Sequence, residues 1–265
     1  MLLRDKVAIV YGGGGAIGGA SARAFAREGA KVFLAGRTRA RVEKVAADIW
    51  EAGGSVEIDV LDAQDETAVN DHADRVAEKA GRIDIALNAV SVMHVQGRPL
   101  AELSFEEYSH PISAYTRTNF ITAKAVARHM AKRGSGVILT LSTPGSLVRR
   151  PGFLAYGVTC GAIETFSRLL AVELGSSGVR VICMRPDAIP DALSVSYSRE
   201  LFDDMTRRLG TTTGEWLVAH AKEDTLLGRL PRLEQVADYA AFIASDRAGA
   251  VTATLANLTC GSVLD

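Results

Sequence analysis

The sequence predicts an α/β fold, with one doubly wound parallel sheet of about seven strands and helices on both faces. Short apolar runs rich in β-branched residues alternate with segments of helical periodicity along the whole chain. Such alternation indicates parallel strands joined by right-handed helical crossovers. The composition agrees, because 265 residues that are 48% hydrophobic and 23% charged suffice for a sizeable core. We therefore expect residues 1–265 to form a single domain.

The first half of the chain contains three pairs of strand and helix, followed by a fourth strand. Strands are predicted at residues 7–10, 31–35, 55–60 and 83–87, and helices at residues 17–28, 39–52 and 65–80. A glycine follows each of these helices, as is common at helix C-termini.

The second half continues this alternation with one interruption. Strands are predicted at residues 137–141, 179–184 and 253–258, and helices at residues 104–133, 153–174 and 233–245. Pro111 is expected to break the first half of the 104–133 helix, because proline lacks a backbone donor. Residues 187–227, here called the insertion, break the alternation. We interpret the insertion as a lid over the substrate, with a long surface loop as the alternative.

Charge and cysteine content bear on partners and location. With 30 Lys and Arg against 31 Asp and Glu, the net charge of -1 gives no indication of nucleic acid or an anionic membrane as a partner. Cys160, Cys183 and Cys260 are too widely spaced for a disulfide framework or a zinc site, which favours a reducing cytoplasm. The N-terminus leaves no room for a signal peptide, and no apolar run is long enough to span a bilayer. We expect a cytoplasmic protein without a metal site.

A glycine-rich turn, Gly12–Gly15, links the first strand to the first helix. Such a turn typically binds a dinucleotide pyrophosphate, because glycines let the backbone approach the phosphates and the N–H groups of the helix start face the anion. A flexible loop is the alternative, but strand, turn and helix follow in the order that a nucleotide site requires. The turn therefore predicts a nucleotide site.

Further motifs follow later strands in an order that resembles the short-chain dehydrogenase/reductase family over nearly the whole chain. They are the glycine turn, Asp59–Val60, Asn88–Ala89, Asn119, Ser142–Thr143, Tyr156, Arg185–Pro186 and Leu227–Arg229. The resemblance implies a Rossmann-type fold, a small-molecule substrate and a homo-oligomer, either a tetramer or a dimer. The chain departs from the family at Tyr11, where the family has Thr, and at Ala16, Val90 and Asp187, where it has Gly.

The resemblance also assigns the contacts of a nicotinamide dinucleotide. The pyrophosphate would contact Gly12, Gly14, Gly15, Ile17 and Gly18, the adenine Asp59 and Val60, and the adjacent ribose Asn88 and Ala89. After the second strand, NAD requires a carboxylate for the ribose 2′-hydroxyl, whereas an arginine accommodates the 2′-phosphate of NADP. Arg37 and Thr38 stand there without an acid, which favours NADP(H). A solvated basic turn is the alternative.

The catalytic positions depart most from the family, whose pattern is Ser, Tyr and Lys. Tyr156 and Asn119 are present, Thr143 stands at the serine position with a hydroxyl that still donates and accepts, and Cys160 replaces the lysine. In the family that lysine lowers the pKa of the tyrosine. Without it, a phenol with an ordinary pKa of about 10 stays protonated at pH 7, so we expect slow carbonyl reduction to be favoured over alcohol oxidation.

These residues favour an NADP(H)-dependent oxidoreductase that reduces a carbonyl or related group of a small apolar substrate. Tyr156 would donate the proton, Thr143 would bond the carbonyl oxygen, and Asn119 would hold a water or the helix geometry. His94 and Arg98 are candidates to replace the missing lysine, with solvated side chains as the alternative. Two other functions compete: a catalytically impaired relative that binds NADP(H) in a structural, sensing or partner-subunit role, and a non-redox enzyme that reuses the cleft.

Overall fold

A computed structural model of the chain describes residues 1–264. Its strands are β1 (Val7–Tyr11), β2 (Lys31–Gly36), β3 (Ser55–Val60), β4 (Ile85–Asn88), β5 (Gly136–Leu141), β6 (Val179–Pro186) and β7 (Thr254–Leu258). All pair in parallel within one sheet, in the order β3-β2-β1-β4-β5-β6-β7. The strand order reverses between β1 and β4, which creates a crevice at their carboxyl ends.

Helices cover both faces of this sheet. They are α1 (Ala16–Arg27), α2 (Arg39–Glu51), α3 (Glu66–Ala80), α4 (Phe105–Arg133), α5 (Leu154–Gly175), α6 (Ser198–Arg208), α7 (Thr213–Asp224) and α8 (Leu233–Ala244). Among the described residues, no helix combines the length and the apolar character needed to cross a membrane. The predicted α/β fold is confirmed, and outside α4 and the insertion the predicted bounds differ from these by two residues or fewer.

β1 shows why the central strands are apolar along their whole length. Ala8 and Val10 join an apolar cluster with Phe25 of α1, whereas Ile9 and Tyr11 join a second cluster with side chains of α3 and α4. Successive side chains of a strand point to opposite faces of the sheet. A strand covered by helices on both faces therefore needs apolar residues at every position.

α4 is continuous through Pro111, where the sequence predicted a break, so that prediction is wrong. Proline removes only one backbone bond, the one to the carbonyl of Glu107. Ser104 and Glu107 form a reciprocal capping box that stabilises the first turn, and Pro111 itself is buried. Capping and packing together keep the helix intact despite the missing donor.

The insertion consists of α6, α7 and the short 3-10 helix Pro190–Ser194. The rings of Phe202 in α6 and Trp216 in α7 meet edge to face, with 5.5 Å between their centroids. His220 of α7 lies 3.1 Å from Asp187, the residue after β6. α7 is thereby attached beside the carboxyl end of β6.

Candidate active site

The glycine turn packs tightly against the loop that follows β4. Gly12 has a φ of 77°, in the left-handed region, and a Cβ there would overlap the carbonyl oxygen of Ala89. A Cβ at Gly18 would overlap the carbonyl oxygen of Gly12. No side chain caps the start of α1 at Gly15, so the turn is a backbone cradle suited to an anion.

A cleft, partly open to solvent, lies between this turn and the carboxyl ends of β2 and β4. Six of the predicted cofactor residues line it, namely Gly12, Gly14, Gly15, Arg37, Thr38 and Ala89. The residues fit a dinucleotide, because the cleft offers a backbone cradle for the pyrophosphate and, at the end of β2, cationic side chains.

Two cations and a hydroxyl follow the end of β2. Arg37, Thr38 and Arg41 all line the cleft and are solvent-exposed. Within residues 1–264, neither of the two guanidinium groups lies within ion-pairing distance of a carboxylate. Thr38 is the N-cap of α2, yet its hydroxyl makes no capping bond. A helix start with these neighbours offers an anion site.

Asp59 and Val60, the predicted adenine contacts, are not brought to the cleft. Oδ1 of Asp59 accepts a 3.0 Å hydrogen bond from Arg75, and its Oδ2 lies 3.4 Å from Nε2 of the buried His72. Both partners belong to α3; His72, and then Arg75, lower the pKa of Asp59 although burial opposes them. The cleft is lined instead by the next residues along the chain, Leu61–Ala63.

Three predicted cofactor residues do not line the cleft but support the residues that do. They are Asn88, Ile17 and Gly18. Nδ2 of Asn88 donates to Thr122 at 3.1 Å, and its Oδ1 accepts from the backbone N–H of Val90 at 3.0 Å. Ile17 packs against a small apolar cluster next to the insertion. These residues hold the glycine turn and the loop after β4 in place.

Thr143 and Tyr156, which the sequence predicts to be catalytic, meet at the carboxyl end of β5. Oγ1 of Thr143 donates to the Tyr156 hydroxyl at 2.7 Å and accepts from the backbone N–H of Gly145 at 3.2 Å. Sγ of Cys160, one turn further along α5, lies 3.3 Å from the same Oγ1. Burial raises the pKa of the Cys160 thiol. A neutral thiol therefore occupies the place of the family's ammonium group.

The surroundings of Tyr156 keep its phenol protonated. Burial raises the pKa of Tyr156 well above its usual value, and the nearby Asp187 carboxylate raises it further. The hydrogen bond with Thr143 acts in the opposite direction and is outweighed. A neutral phenol suits a proton donor and makes a poor base at neutral pH.

His94 stacks on Tyr156, with ring centroids 4.9 Å apart and planes inclined by 14°. Its Nδ1 lies 2.9 Å from the carbonyl of Val92 and therefore carries the hydrogen, while its Nε2 accepts from the Gln96 amide at 2.9 Å. Burial lowers the pKa of His94. The ring is thus neutral with both nitrogens engaged. Arg98 forms an ion pair with a glutamate at the start of α4. Neither candidate takes the place of the missing ammonium.

Asn119 points into its own helix rather than toward Tyr156. Its Nδ2 donates to the backbone carbonyl of Tyr115 at 2.9 Å, and its buried Oδ1 has no hydrogen-bond partner among the described residues. Tyr115, one turn earlier in α4, reaches the site instead. Its hydroxyl accepts from the backbone N–H of Val92 at 3.3 Å, and its ring meets the His94 ring edge to face.

Contacts of His220 and of Tyr197 hold the insertion beside this site. Nε2 of His220 lies 3.1 Å from both oxygens of Asp187, and its Nδ1 lies 2.8 Å from Asp224. Because each ring nitrogen faces a carboxylate, both carry hydrogen and the ring is a cation. Burial alone would lower the pKa of His220, but Asp187 and Asp224 outweigh it and raise that pKa. Tyr197 also lines the cleft, where its hydroxyl donates to Ser91.

Comparison with known proteins agrees with this geometry. The sequence profile of a family described as enoyl-(acyl carrier protein) reductase matches residues 14–262. The chain is 30% identical over 263 residues to a 7alpha-hydroxysteroid dehydrogenase of Clostridium sardiniense, which covers 99% of this chain and 95% of that protein. The chain belongs to the short-chain dehydrogenase/reductase family. This short-chain dehydrogenase/reductase is accordingly an oxidoreductase with a nicotinamide cofactor.

Further relatives of this short-chain dehydrogenase/reductase include a meso-2,3-butanediol dehydrogenase of Serratia marcescens, 31% identical over 249 residues, or 94% of this chain and 90% of that protein. The structure of a short-chain type dehydrogenase/reductase from Mycobacterium ulcerans matches with a TM-score of 0.84 at 26% identity, over 99% of this chain and 91% of that one. An NAD⁺-bound xylitol dehydrogenase matches with a TM-score of 0.88 over 98% and 100% of the two chains. At 23% identity that match shows the fold alone.

Sequence reasoning missed three positions in the site of this short-chain dehydrogenase/reductase. Tyr115 was detectable as a polar aromatic residue one helical turn from Asn119, on the same face of α4. Asp62 lies beyond the end of β3, where ligands of a parallel sheet bind, whereas Asp59 lies within the strand. Arg41 was detectable as a cation in the first turn of α2.

Proposed function

We propose that this protein is an NADP(H)-dependent reductase of a carbonyl or related group in a small apolar substrate. The observation that carries the proposal is the 2.7 Å hydrogen bond between Thr143 and a Tyr156 phenol whose neighbours favour its neutral form. A buried, protonated phenol beside a second hydroxyl is suited to donate a proton to a carbonyl oxygen.

The residues around the phenol have separate roles in this reaction. The nicotinamide cofactor supplies the hydride. Tyr156 donates the proton to the developing alkoxide, and Thr143 orients both the phenol and the substrate oxygen. His94 and Tyr115 form the aromatic wall that excludes water around the phenol.

We assign the pyrophosphate and the adenosine end of the dinucleotide as follows. The glycine turn holds the pyrophosphate, Asp62 and Ala63 line the adenine end in place of Asp59 and Val60, and Arg37 with Arg41 meets the 2′-phosphate. A charge-assisted contact to phosphate contributes more than a neutral hydrogen bond, so these cations favour NADP(H) over NAD(H).

Arginine substitutions test the choice of cofactor. Arg37→Ala and Arg41→Ala should each raise the Kd for NADPH about tenfold, while the Kd for NADH stays unchanged. Arg39→Ala is the matched control, because Arg39 lies on the same turn but pairs with Glu43 at 3.4 Å. Fluorescence titration gives the Kd of the wild type and of the three variants for each cofactor. Equal losses for NADPH and NADH would contradict the assignment.

The insertion supports a small apolar substrate. Phe202, Trp216 and His220 form a row of contacting rings next to Asp187, and Tyr197 spans the cleft to Ser91. We assign the insertion the role of a lid. We also propose a homo-oligomer, and a reducing cytoplasm as its location, which the free thiols of the three cysteines favour.

Turnover with a panel of aldehydes and cyclic, aliphatic and aromatic ketones tests the reaction. NADPH absorbance should fall with at least one of them, and Tyr156→Phe should lower kcat by at least ~100-fold without changing the Kd for NADPH. Binding of NADPH without turnover of any carbonyl would contradict the reductase and support the catalytically impaired relative. No binding of either cofactor would contradict both.

A further inference from the structure

A buried carboxylate lies beneath the catalytic residues and takes no part in the proposed reaction. Glu164 of α5 is only 6% exposed. Its Oε1 accepts hydrogen bonds from Ser142 at 3.0 Å, from Ser146 at 3.1 Å and from Nε of Arg185 at 2.9 Å. Its Oε2 accepts a second bond from Ser146 at 3.1 Å. A buried charge is tolerated only when its oxygens are paired in this way.

The position of this carboxylate along α5 connects it to the site. Tyr156, Cys160 and Glu164 follow one another at a spacing of four residues, so they share one face of the helix. Ser142 and Ser146 stand before and after the threonine that bonds the Tyr156 hydroxyl. The carboxylate therefore joins the helix that carries the phenol to both ends of the segment that carries its partner.

Arg185 extends this connection to a third element. It lies in β6, two residues before Asp187, and is itself only 3% exposed. Its bond to Glu164 holds the end of β6 against α5. Three elements that contribute residues around the phenol thus converge on one carboxylate.

We propose that Glu164 is a positioning residue that fixes Thr143 against Tyr156 through Ser142, Ser146 and Arg185. Its effect on turnover rests on the proposed reductase activity, but its effect on local order does not. Because Cys160 is a neutral thiol, the ionic contact that orders this face of α5 comes one helical turn later, from Glu164.

The test uses Glu164→Ala together with the shape-conserving Glu164→Gln. Displacing a catalytic group by about 1 Å can cost up to ~100-fold in rate, so we expect kcat to fall ~10- to ~100-fold in Glu164→Ala and less in Glu164→Gln, which keeps one acceptor oxygen. KM and the Kd for NADPH should stay near the wild-type values, because the glycine turn and the arginines are untouched.

A second readout needs no activity. Sγ of Cys160 is buried against Thr143, so loosening that segment should expose it to a thiol-alkylating reagent. We expect Cys160 alkylation in Glu164→Ala to accelerate at least ~10-fold relative to Cys183, measured by peptide mass spectrometry. Cys183 serves as the internal reference, since it is buried in β6 and burial raises its pKa to about 11.

Asp84→Asn is the matched control. Asp84 is a buried carboxylate that pairs with Arg82 and accepts from the backbone N–H of Val7 at 2.8 Å. It lies at the amino ends of β1 and β4, whereas the cleft lies at the carboxyl ends of the strands. The substitution should cost stability without changing kcat or the relative reactivity of Cys160. If the wild type shows no turnover but Cys160 is alkylated faster in Glu164→Ala, the positioning role is supported and only the proposed function is overturned. The proposal is overturned if Glu164→Ala leaves Cys160 as protected as in the wild type, or if Asp84→Asn exposes it equally.

Discussion

Cys160 sets the chemical character of the site at the scale of single residues. A lysine there would place an ammonium group near Thr143 and Tyr156 and favour tyrosinate. The thiol is uncharged and supplies no such stabilisation, so burial raises the pKa of the phenol unopposed by a cation. The residue that departs most from the family pattern thus favours the donor form of the tyrosine.

Cys160→Lys should shift the pH profile of alcohol oxidation toward lower pH and raise the rate at pH 7 by ~10-fold or more. The reason is that a cation near a phenol stabilises the phenolate. Cys160→Ala is the control and should leave the profile unchanged, because alanine also brings no charge. Steady-state oxidation rates between pH 6 and 10 measure the shift. An unchanged profile in Cys160→Lys would show that another group sets the pKa of Tyr156.

Residues that belong to one motif of fixed spacing meet in the structure. The sequence predicted Thr143 and Tyr156 as two members of the catalytic pattern, and the structure brings the two hydroxyls together. Asn119 was predicted to hold a water or the helix geometry, and its amide bonds the backbone of α4, whereas the side chain of Asp59, a predicted adenine contact, turns toward α3. Which face of a strand or helix a polar residue occupies depends on packing that a single motif does not contain.

At the scale of elements, His220 connects α7 to the carboxyl end of β6. His220 is a cation between Asp187 and Asp224, and Asp224 also pairs with Arg150 at 3.2 Å. Asp187 is further engaged by Ser262 near the C-terminus. Because the pKa of His220 is raised in the folded protein, its ionic contribution is complete below the ordinary value of about 6.5 and is lost as the pH rises through the raised pKa.

We therefore expect α7 to be better protected at pH 6 than at pH 9. Hydrogen exchange of the α7 amides, corrected for the intrinsic pH dependence and compared with α8, measures this protection. His220→Gln should abolish the difference between the two pH values, since glutamine does not titrate. Equal protection of α7 in the wild type at both pH values would contradict the attachment by a protonated histidine.

Prediction of the elements was accurate because each strand and helix has its own periodicity, and because a glycine stands at or just after the end of each of α1 to α4. Pro111 was the exception. Its local preference against helix was overridden by the capping box of Ser104 and by its own burial, and burial is a property of the whole fold. The length of the insertion was visible in the sequence. The contact between His220 and Asp187 was not, because the two residues are distant along the chain and meet only in the folded structure.

At the scale of the whole molecule, the outer faces of α4 and α5 carry exposed apolar side chains. Phe120 is 53% exposed, Leu169 62% and Val172 77%. α4 and α5 pack against each other, so these faces form one surface. Large apolar patches on a protein surface commonly mark interfaces, and a second copy of this chain fits the expected homo-oligomer.

Introducing charge on this surface should dissociate the proposed homo-oligomer. The double variant Leu169→Glu/Val172→Glu should sediment as a smaller species than the wild type, since two buried carboxylates would be unpaired in the interface. Val218→Glu is the control, because Val218 is 69% exposed but lies on α7. Analytical ultracentrifugation distinguishes the species. An unchanged sedimentation coefficient in the double variant would place the contact elsewhere.

No catalyst changes the equilibrium constant between a ketone and its alcohol, so a buried neutral Tyr156 leaves the final yield of alcohol unaltered. It changes how each direction responds to acidity. For the proposed reductase, reduction stays level across the neutral range, whereas oxidation gains about tenfold for every unit of pH until the phenol ionises. The ratio of the two rates then follows the proton concentration, as the stoichiometry of the reaction demands. At neutral pH, the small fraction of ionised phenol limits the rate at which alcohol returns to ketone, while the ratio of reduced to oxidised cofactor still sets the direction of net reaction.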